Sequence, residues 1–240
     1  MPQNRYFLDA IFHQDSHVLL EGEEAHHLSR VMRKEKGDPI ELVNGKGQLA
    51  TASIEAIEKN RVHIIIRTLF EPKPPKRRVI ICQALPRFNR LETIVEKGTE
   101  LGMYALWLYP GALSEKKDLS NSQLCRLKAI AIASMKQSGR LDLPLISLHP
   151  SLEKWSKLDF PAFFGDLEPE APSLLSALKG NISDDLLFFV GPESGFTPKE
   201  KEQLKNIHAF GVRLHINTLR TDTAPLAALS IISNAFLSNF

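Results

Sequence analysis

From residue 78 onward, apolar strands alternate with amphipathic helices, which predicts an α/β domain with a parallel sheet covered by helices. Over the first 70 residues, short strands joined by tight turns predict a small β-barrel carrying one helix. Between them, Glu71-Pro72-Lys73-Pro74-Pro75-Lys76 packs three prolines into four positions, which stops regular structure and stiffens the chain. The expected division is a barrel over 1–71, a linker over 72–77 and an α/β domain over 78–240.

Each element has a local reason. Arg5–Leu8 and Ser16–Leu20 are short apolar runs of strand type. Ala25, Leu28, Val31 and Met32 recur at three- and four-residue spacings and predict a helix over Glu23–Lys34, ended by Lys36-Gly37-Asp38. Strands follow over Pro39–Val43 and Leu49–Ile57, joined by the hairpin turn Asn44-Gly45-Lys46-Gly47. After Lys59-Asn60, Val62, Ile64 and Ile66 alternate inward along a strand over Arg61–Leu69. In the second domain, strands are expected at Arg78–Ala84, Ala105–Tyr109, Phe160–Phe164, Asp185–Val190 and Val212–Ile216. Helices are expected at Arg90–Leu101, Ser122–Gln137, Thr197–Lys205 and Ala224–Phe240.

Composition narrows the class. With 43% hydrophobic and 24% charged residues among 240, the chain has the balance of a globular protein, which excludes disorder as its main state. No apolar run reaches the roughly 18 residues of a membrane span. The start Met1-Pro2-Gln3-Asn4-Arg5 has no secretory pattern. Two cysteines, Cys82 and Cys125, exclude a disulfide framework and fit a reducing, cytoplasmic location. His26 and His27 are adjacent, and His13 and His17 lack a completing carboxylate or cysteine, so no metal is expected. The net charge is only +2, yet residues 79–140 hold nine basic against five acidic side chains and residues 141–240 hold eight against twelve. A basic middle suits a localised contact with a polyanion rather than a coating protein.

Three segments carry candidate chemistry. In Leu186–Glu200 an apolar strand runs through Gly191 and Gly195 into a helix whose Thr197, Pro198 and Glu200 spell a capping box. Glycines at the carboxyl end of a parallel strand admit close backbone approach to a ligand. Neither a P-loop nor a dinucleotide fingerprint is present, so nucleotide phosphates are not the expected ligand. In Leu214–Pro225 a strand enters a polar loop that holds Arg220 and Asp222 outside the strand end; the simplest structural role for Arg220 there is a bridge to Asp222 or Glu193. In Arg87–Gly102, Arg87, Arg90 and Lys97 lie along an amphipathic helix whose Glu92, Glu96 and Glu100 repel at i,i+4, which calls for compensating cations nearby. In the small domain, Arg5, Arg30, Arg33 and Lys34 are candidate phosphate contacts, Arg30 and Arg33 on one helical side.

Taken together in order, Arg5-Tyr6-Phe7, His26-His27-Leu28 with Val31-Met32-Arg33, Gly37-Asp38 and Glu96–Gly102 resemble the RsmE family of 16S ribosomal RNA uridine N3-methyltransferases. So do Gln137-Ser138-Gly139-Arg140 with Pro144, Gly191–Phe196 and Leu219–Ala224. The family belongs to the SPOUT, or trefoil-knotted, class. The resemblance implies a PUA-like RNA-binding barrel, a knotted α/β domain, a homodimer and S-adenosylmethionine as methyl donor. It implies 16S rRNA in the small ribosomal subunit, at its decoding region, as the RNA partner. Three strand-end loops would surround the donor: Gly165–Glu168, Gly191–Phe196 and Leu214–Thr221. The implied cofactor contacts are Leu167, Val190, Gly191, Pro192, Glu193, Gly195, Leu214, Ile216, Leu219 and Thr221. The implied RNA contacts are Arg5, Arg30, Arg33, Arg87, Arg90 and Arg140. Ser194 and His215 stand where the family commonly has glycine, and Asp222 where it has glutamate. If φ is positive at Ser194, strain of about 1 kcal/mol is expected.

Methylation of uracil N3 requires loss of its proton and stabilisation of charge spreading to O2 and O4. An arginine suits that task, being always charged and rich in donors. Arg220 is therefore the first catalytic candidate, Asn217 or Thr221 its hydrogen-bonding assistants, and Asp222 and Glu193 candidate bases or orienting groups. The rival expectations are an RNA-binding assembly factor of the same fold without catalysis, or a methyltransferase for another nucleotide.

Overall fold

The computed structural model describes residues 4–156, 158, 160–179 and 185–237. They fall into two compact units: the chain up to Pro74 with Ile132–Leu143, and Pro75–Ala131 with the chain from Pro144 onward.

The first unit is a five-stranded sheet in the order β1-β3-β4-β5-β2. Its strands are β1 (Arg5–Phe7), β2 (His17–Glu21), β3 (Pro39–Val43), β4 (Leu49–Ile57) and β5 (Arg61–Phe70). β3–β4, β4–β5 and β2–β5 pair antiparallel, and β1 joins β3 in parallel. Alternation drives Ile54, Val62, Ile64 and Ile66 into one core with Tyr6, Phe12 and Leu20. The expected helix over Glu23–Lys34 is shorter: α1 covers Gly22–His26, and His27–Val31 continues as a single π-turn. The wider turn moves the apolar stripe out of register. Ala25 and Leu28 are buried while Val31 and Met32 face solvent, and Arg33 ends the run in the left-handed region at φ 51°.

Ile132–Leu143 was expected in the second domain, and contacts group it with the first. Gly47 N–H donates to Leu141 O, Leu143 N–H donates to Gly45 O, and Lys136 pairs with Glu24. A Cβ on Gly45 would sit 2.7 Å from Leu143 Cδ1, so the hairpin turn needs glycine for the approach as well as for its φ of 69°.

The second unit is a six-stranded sheet in the order β11-β9-β10-β6-β7-β8, every neighbour parallel. Its strands are β6 (Arg78–Ala84), β7 (Ala105–Tyr109), β8 (Leu145–Leu148), β9 (Ala162–Gly165), β10 (Asp185–Val190) and β11 (Ala209–Val212). Its helices are α2 (Phe88–Glu100), the part of α3 (Asn121–Ser138) up to Ala131, α4 (Leu174–Ala177), α5 (Pro198–Asn206) and α6 (Thr223–Leu237), the rest of α3 belonging to the first unit. The final helix was expected to reach Phe240; residues 238–240 lie outside those described. All six residues of β10 are buried, as a central strand covered on both faces requires. Strand order runs outward from β6 through β7 to β8, then resumes beyond β10, so the sheet changes direction between β6 and β10. The last expected strand, Val212–Ile216, is displaced. Pairing with β9 is exhausted at Val212, opposite Gly165, and the chain beyond is loop.

The capping box of α5 is formed in full. Glu200 N–H donates to Thr197 Oγ1 at 3.2 Å and Thr197 N–H donates to Glu200 Oε2 at 2.9 Å, with Pro198 in the first turn. Glu200 Oε1 also accepts from Ala112 N–H at 2.8 Å, so one buried carboxylate serves two segments. Thr197→Ala is expected to lower stability by about 1 kcal/mol. Thermal unfolding should show a fall of about 2–4 °C. The like-charged ridge of α2 is compensated too: Lys97 reaches Glu96 and Glu100 at 2.8 Å, and Arg126 pairs with Glu92.

Candidate active site

The carboxyl ends of β9, β10 and β11 open into a cavity of about 680 Å³, within the range of small-molecule sites. It lies outside the carboxyl ends of parallel strands, where open α/β sheets hold ligands. The β9 end supplies Gly165, Asp166 and Leu167; the β10 end supplies Val190 through Phe196; the loop after β11 supplies Val212 through Thr221. All ten expected cofactor contacts lie on this wall, as do Arg220 and Asn217.

The β10 loop is shaped by one left-handed residue. Gly195 has φ 77°, and its N–H donates to Pro192 O at 2.9 Å. Ser194 is not among the positive-φ residues described, so the expected strain there does not arise; the glycine next to it takes the left-handed turn. Gly191 is close-packed, since a Cβ would lie 3.2 Å from both Gly195 C and Phe196 N. Glu193 is committed to α2 and the segment before it: Arg90 Nη1 lies 3.2 Å from its Oε1, which also accepts the Arg87 N–H at 3.2 Å. Arg87 in turn pairs with Glu115, whose carboxyl the guanidinium holds below the usual carboxylate range.

The loop after β11 is anchored and capped. Thr221 is buried and donates to Gly191 O at 2.8 Å, and Arg220 O accepts the N–H groups of Thr223 and Ala224 that begin α6. His215 Nδ1 accepts the Asn217 N–H at 3.0 Å, so this histidine braces its own loop. Arg220 has its side chain 67% exposed, with Nε 3.3 Å from Asp222 Oδ1. That contact is an ion pair without hydrogen-bond alignment, because Oδ1 is otherwise buried and unpartnered among the described residues. Asp222 itself stands behind Arg220 rather than on the cavity wall. Across the cavity, Lys201 lies 2.8 Å from Asp166 and 3.1 Å from Glu168, and the Asp166 contact above all raises its ammonium pKa.

Two of the expected RNA contacts have carboxylate partners within the first unit. Arg5 donates to Glu41 Oε2 through Nε at 3.0 Å and Nη2 at 2.8 Å, with only 8% of its side chain exposed. Arg140 is largely covered and pairs with Asp142 at 2.5 Å. Arg30 and Arg33 are exposed. Arg30 shares a hollow of about 310 Å³ with Lys34 and Lys59.

Gln83 belongs to no motif of the sequence. It is wholly buried at the end of β6 and donates to Thr221 Oγ1 at 3.0 Å, Ala84 O at 3.0 Å and Gly191 O at 3.4 Å. A single glutamine in an apolar strand has no periodic signature. Tyr109 belongs to none either; its hydroxyl donates to Val190 O at 3.1 Å, and burial pushes its pKa up. Among the described residues, no group of three or more His, Cys, Asp or Glu is placed to hold a metal ion. No helix among them is long and apolar enough to cross a membrane.

Residues 72–233 match the family described as RNA methyltransferase domain, and residues 20–67 match the RNA methyltransferase PUA domain. The ribosomal RNA small subunit methyltransferase E of Bacillus subtilis (strain 168) is 31% identical, with 95% of each chain covered. The protein of the same name from Mycobacterium tuberculosis is 26% identical, over 95% of this chain and 90% of its own. The crystal structure of a ribosomal RNA small subunit methyltransferase E from Neisseria gonorrhoeae bound to S-adenosyl methionine superposes with a TM-score of 0.85. It is 27% identical and covers 98% of this chain and 97% of that one. A two-unit architecture, a strand-end cavity and these matches over nearly the whole length agree, and the chain belongs to the RNA methyltransferase domain family, within its ribosomal RNA small subunit methyltransferase E group.

Proposed function

We propose that the protein transfers the methyl group of S-adenosylmethionine to N3 of a uridine in 16S ribosomal RNA of the small subunit, in the cytoplasm. The observation that carries this reading is the convergence of three strand-end loops on one cavity with Arg220 on its wall.

The residues present fit the donor. Leu167, Val190, Leu214 and Leu219 offer an apolar surface for a planar heterocycle, while Asp166, Glu168 and Lys201 give a polar fringe for hydroxyl, ammonium and carboxylate groups. When bound, S-adenosylmethionine supplies a methyl carbon activated by its sulfonium, so the N3 lone pair takes the carbon and sulfur keeps the bonding pair. This chain's residues must then position N3 and favour its deprotonated form. Arg220 would present a permanent charge to O2 or O4 of the uracil, with Asp222 as its ion-pair partner. Asn217, on the same cavity wall, is a further candidate donor. Glu193, bound to Arg90 and the Arg87 backbone, shapes the donor loop. The base must leave its stack to reach this depth.

A homodimer and a threaded, trefoil-knotted carboxyl-terminal segment complete the proposal. Leu167 and Ile216 support the pairing: both line the cavity, yet they are 68% and 84% exposed. A second copy over them excludes water from the reacting atoms. The RNA phosphates would be met by Arg30, Arg33, Lys34 and Lys59 in the first unit and by Arg87 and Arg90 in the second, a reading supported by the exposure of Arg30 and Arg33, and binding should weaken as salt rises. The test of the donor site is thermal unfolding with S-adenosylmethionine. A ligand at 100 times its Kd adds about 2.7 kcal/mol to the folded state and raises the melting temperature. An unshifted transition at millimolar donor contradicts the assignment.

A further inference from the structure

β6 is apolar from Val79 through Cys82, and its sixth residue, Gln83, is wholly buried between strands β10 and β7. It pairs in register with Val190, one residue before Gly191. The amide nitrogen faces three acceptors: Ala84 O, Thr221 Oγ1 and, more distantly, Gly191 O. The orientation is dictated by those partners, because exchanging oxygen for nitrogen would set carbonyl against carbonyl. Oε1, by contrast, has no hydrogen-bond partner among the described residues. A hydrocarbon would fill this place without leaving a buried acceptor unpaired. What the amide adds is a donor. The Thr221 hydroxyl spends its proton on Gly191 O, so its lone pair is available to Gln83. Gln83, Thr221 and Gly191 O thus form a closed triangle that ties the loop after β11 to the end of β10. Arg220 is the residue next to the anchored threonine.

We propose that Gln83 is a positioning residue: by donating to Thr221 it fixes the loop from which Arg220 reaches its substrate. The role in turnover rests on the methyl-transfer reading; the anchoring of the loop does not, and the two are measured separately.

Gln83→Met keeps the length and shape of the side chain and removes the donor. Hydrogen exchange followed by mass spectrometry is expected to show amides of the Leu214–Asp222 segment exchanging about tenfold faster, while β6, β10 and α6 keep their protection. Thr221→Val removes the same bond from the loop side and serves if Gln83→Met does not fold. Thr221→Val also loses the hydroxyl's bond to Gly191 O, so the double variant should exchange no faster than Thr221→Val alone. Single-turnover methyl transfer to small-subunit RNA is expected to fall about tenfold in Gln83→Met. Gln83→Glu retains a donor only while protonated, so its rate relative to the unaltered protein should decline as pH rises, a dependence absent from Gln83→Met. Unchanged exchange in the loop, or additive effects in the double variant, overturns the anchor. Faster exchange with an unaltered rate overturns the positioning role. If the unaltered protein transfers no methyl group, the functional reading fails, and the exchange result still decides whether Gln83 holds the loop.

Discussion

Arg220→Ala slows methyl transfer by roughly 100- to 1,000-fold, the loss typical of deleting one preorganised donor at a developing negative charge. The fold should survive. The guanidinium is largely exposed, its ion pair with Asp222 is poorly aligned, and the backbone carbonyl of residue 220 that caps α6 is retained in alanine. Melting temperature and donor affinity are therefore expected to stay near those of the unaltered protein, with the loss confined to the chemical step. Arg220→Lys should recover little, because an ammonium cannot present the planar fork. Single-turnover kinetics at saturating donor reads the effect, and a rate within threefold of the unaltered protein removes Arg220 from the mechanism.

Gly195→Val abolishes donor binding. The residue sits at φ 77°, where a β-branched side chain is strained, and it closes the turn from Pro192 O. Valine either distorts the loop from Pro192 to Phe196 or places its methyl groups by the cavity those residues line. A Cβ alone meets no neighbour within 4 Å, so the damage comes from backbone conformation and lost ligand space rather than from a core clash. Titration calorimetry with S-adenosylmethionine is expected to show affinity lowered by at least about 100-fold, equivalent to roughly 2.7 kcal/mol. Unchanged affinity means this loop is not the donor pocket.

Much of the fold and most of the cavity wall were legible in the sequence because local rules decide them. Thr197, Pro198 and Glu200 form the capping box their spacing predicts, and the apolar runs at 78–84, 105–109 and 185–190 are strands of one parallel sheet. The errors come from long-range effects. Val212 ends its strand because β9 ends opposite it, which no window around Val212 reveals. β8 has four residues, follows Pro144 and occupies an edge, too short a signal to separate from loop. The π-turn after α1 defeats a count based on 3.6 residues per turn. The carboxylate partner of Arg5, Glu41, lies 36 residues away in sequence, and only pairing of β1 with β3 brings them together. Gln83 and Thr221 are separated by 138 residues, so their bond is a product of topology alone. Ser194 shows the opposite case: a departure from the family pattern that costs no positive φ, because Gly195 supplies the turn.

The most direct test of methyl transfer to uridine N3 is mass mapping of small-subunit RNA, isolated without the modification and incubated with this protein and S-adenosylmethionine. The expected result is one added methyl group on a uracil base, located at N3 by fragmentation and formed far more slowly with Arg220→Ala. A methyl group on ribose or on another base, or none at all from protein shown to bind the donor, contradicts it.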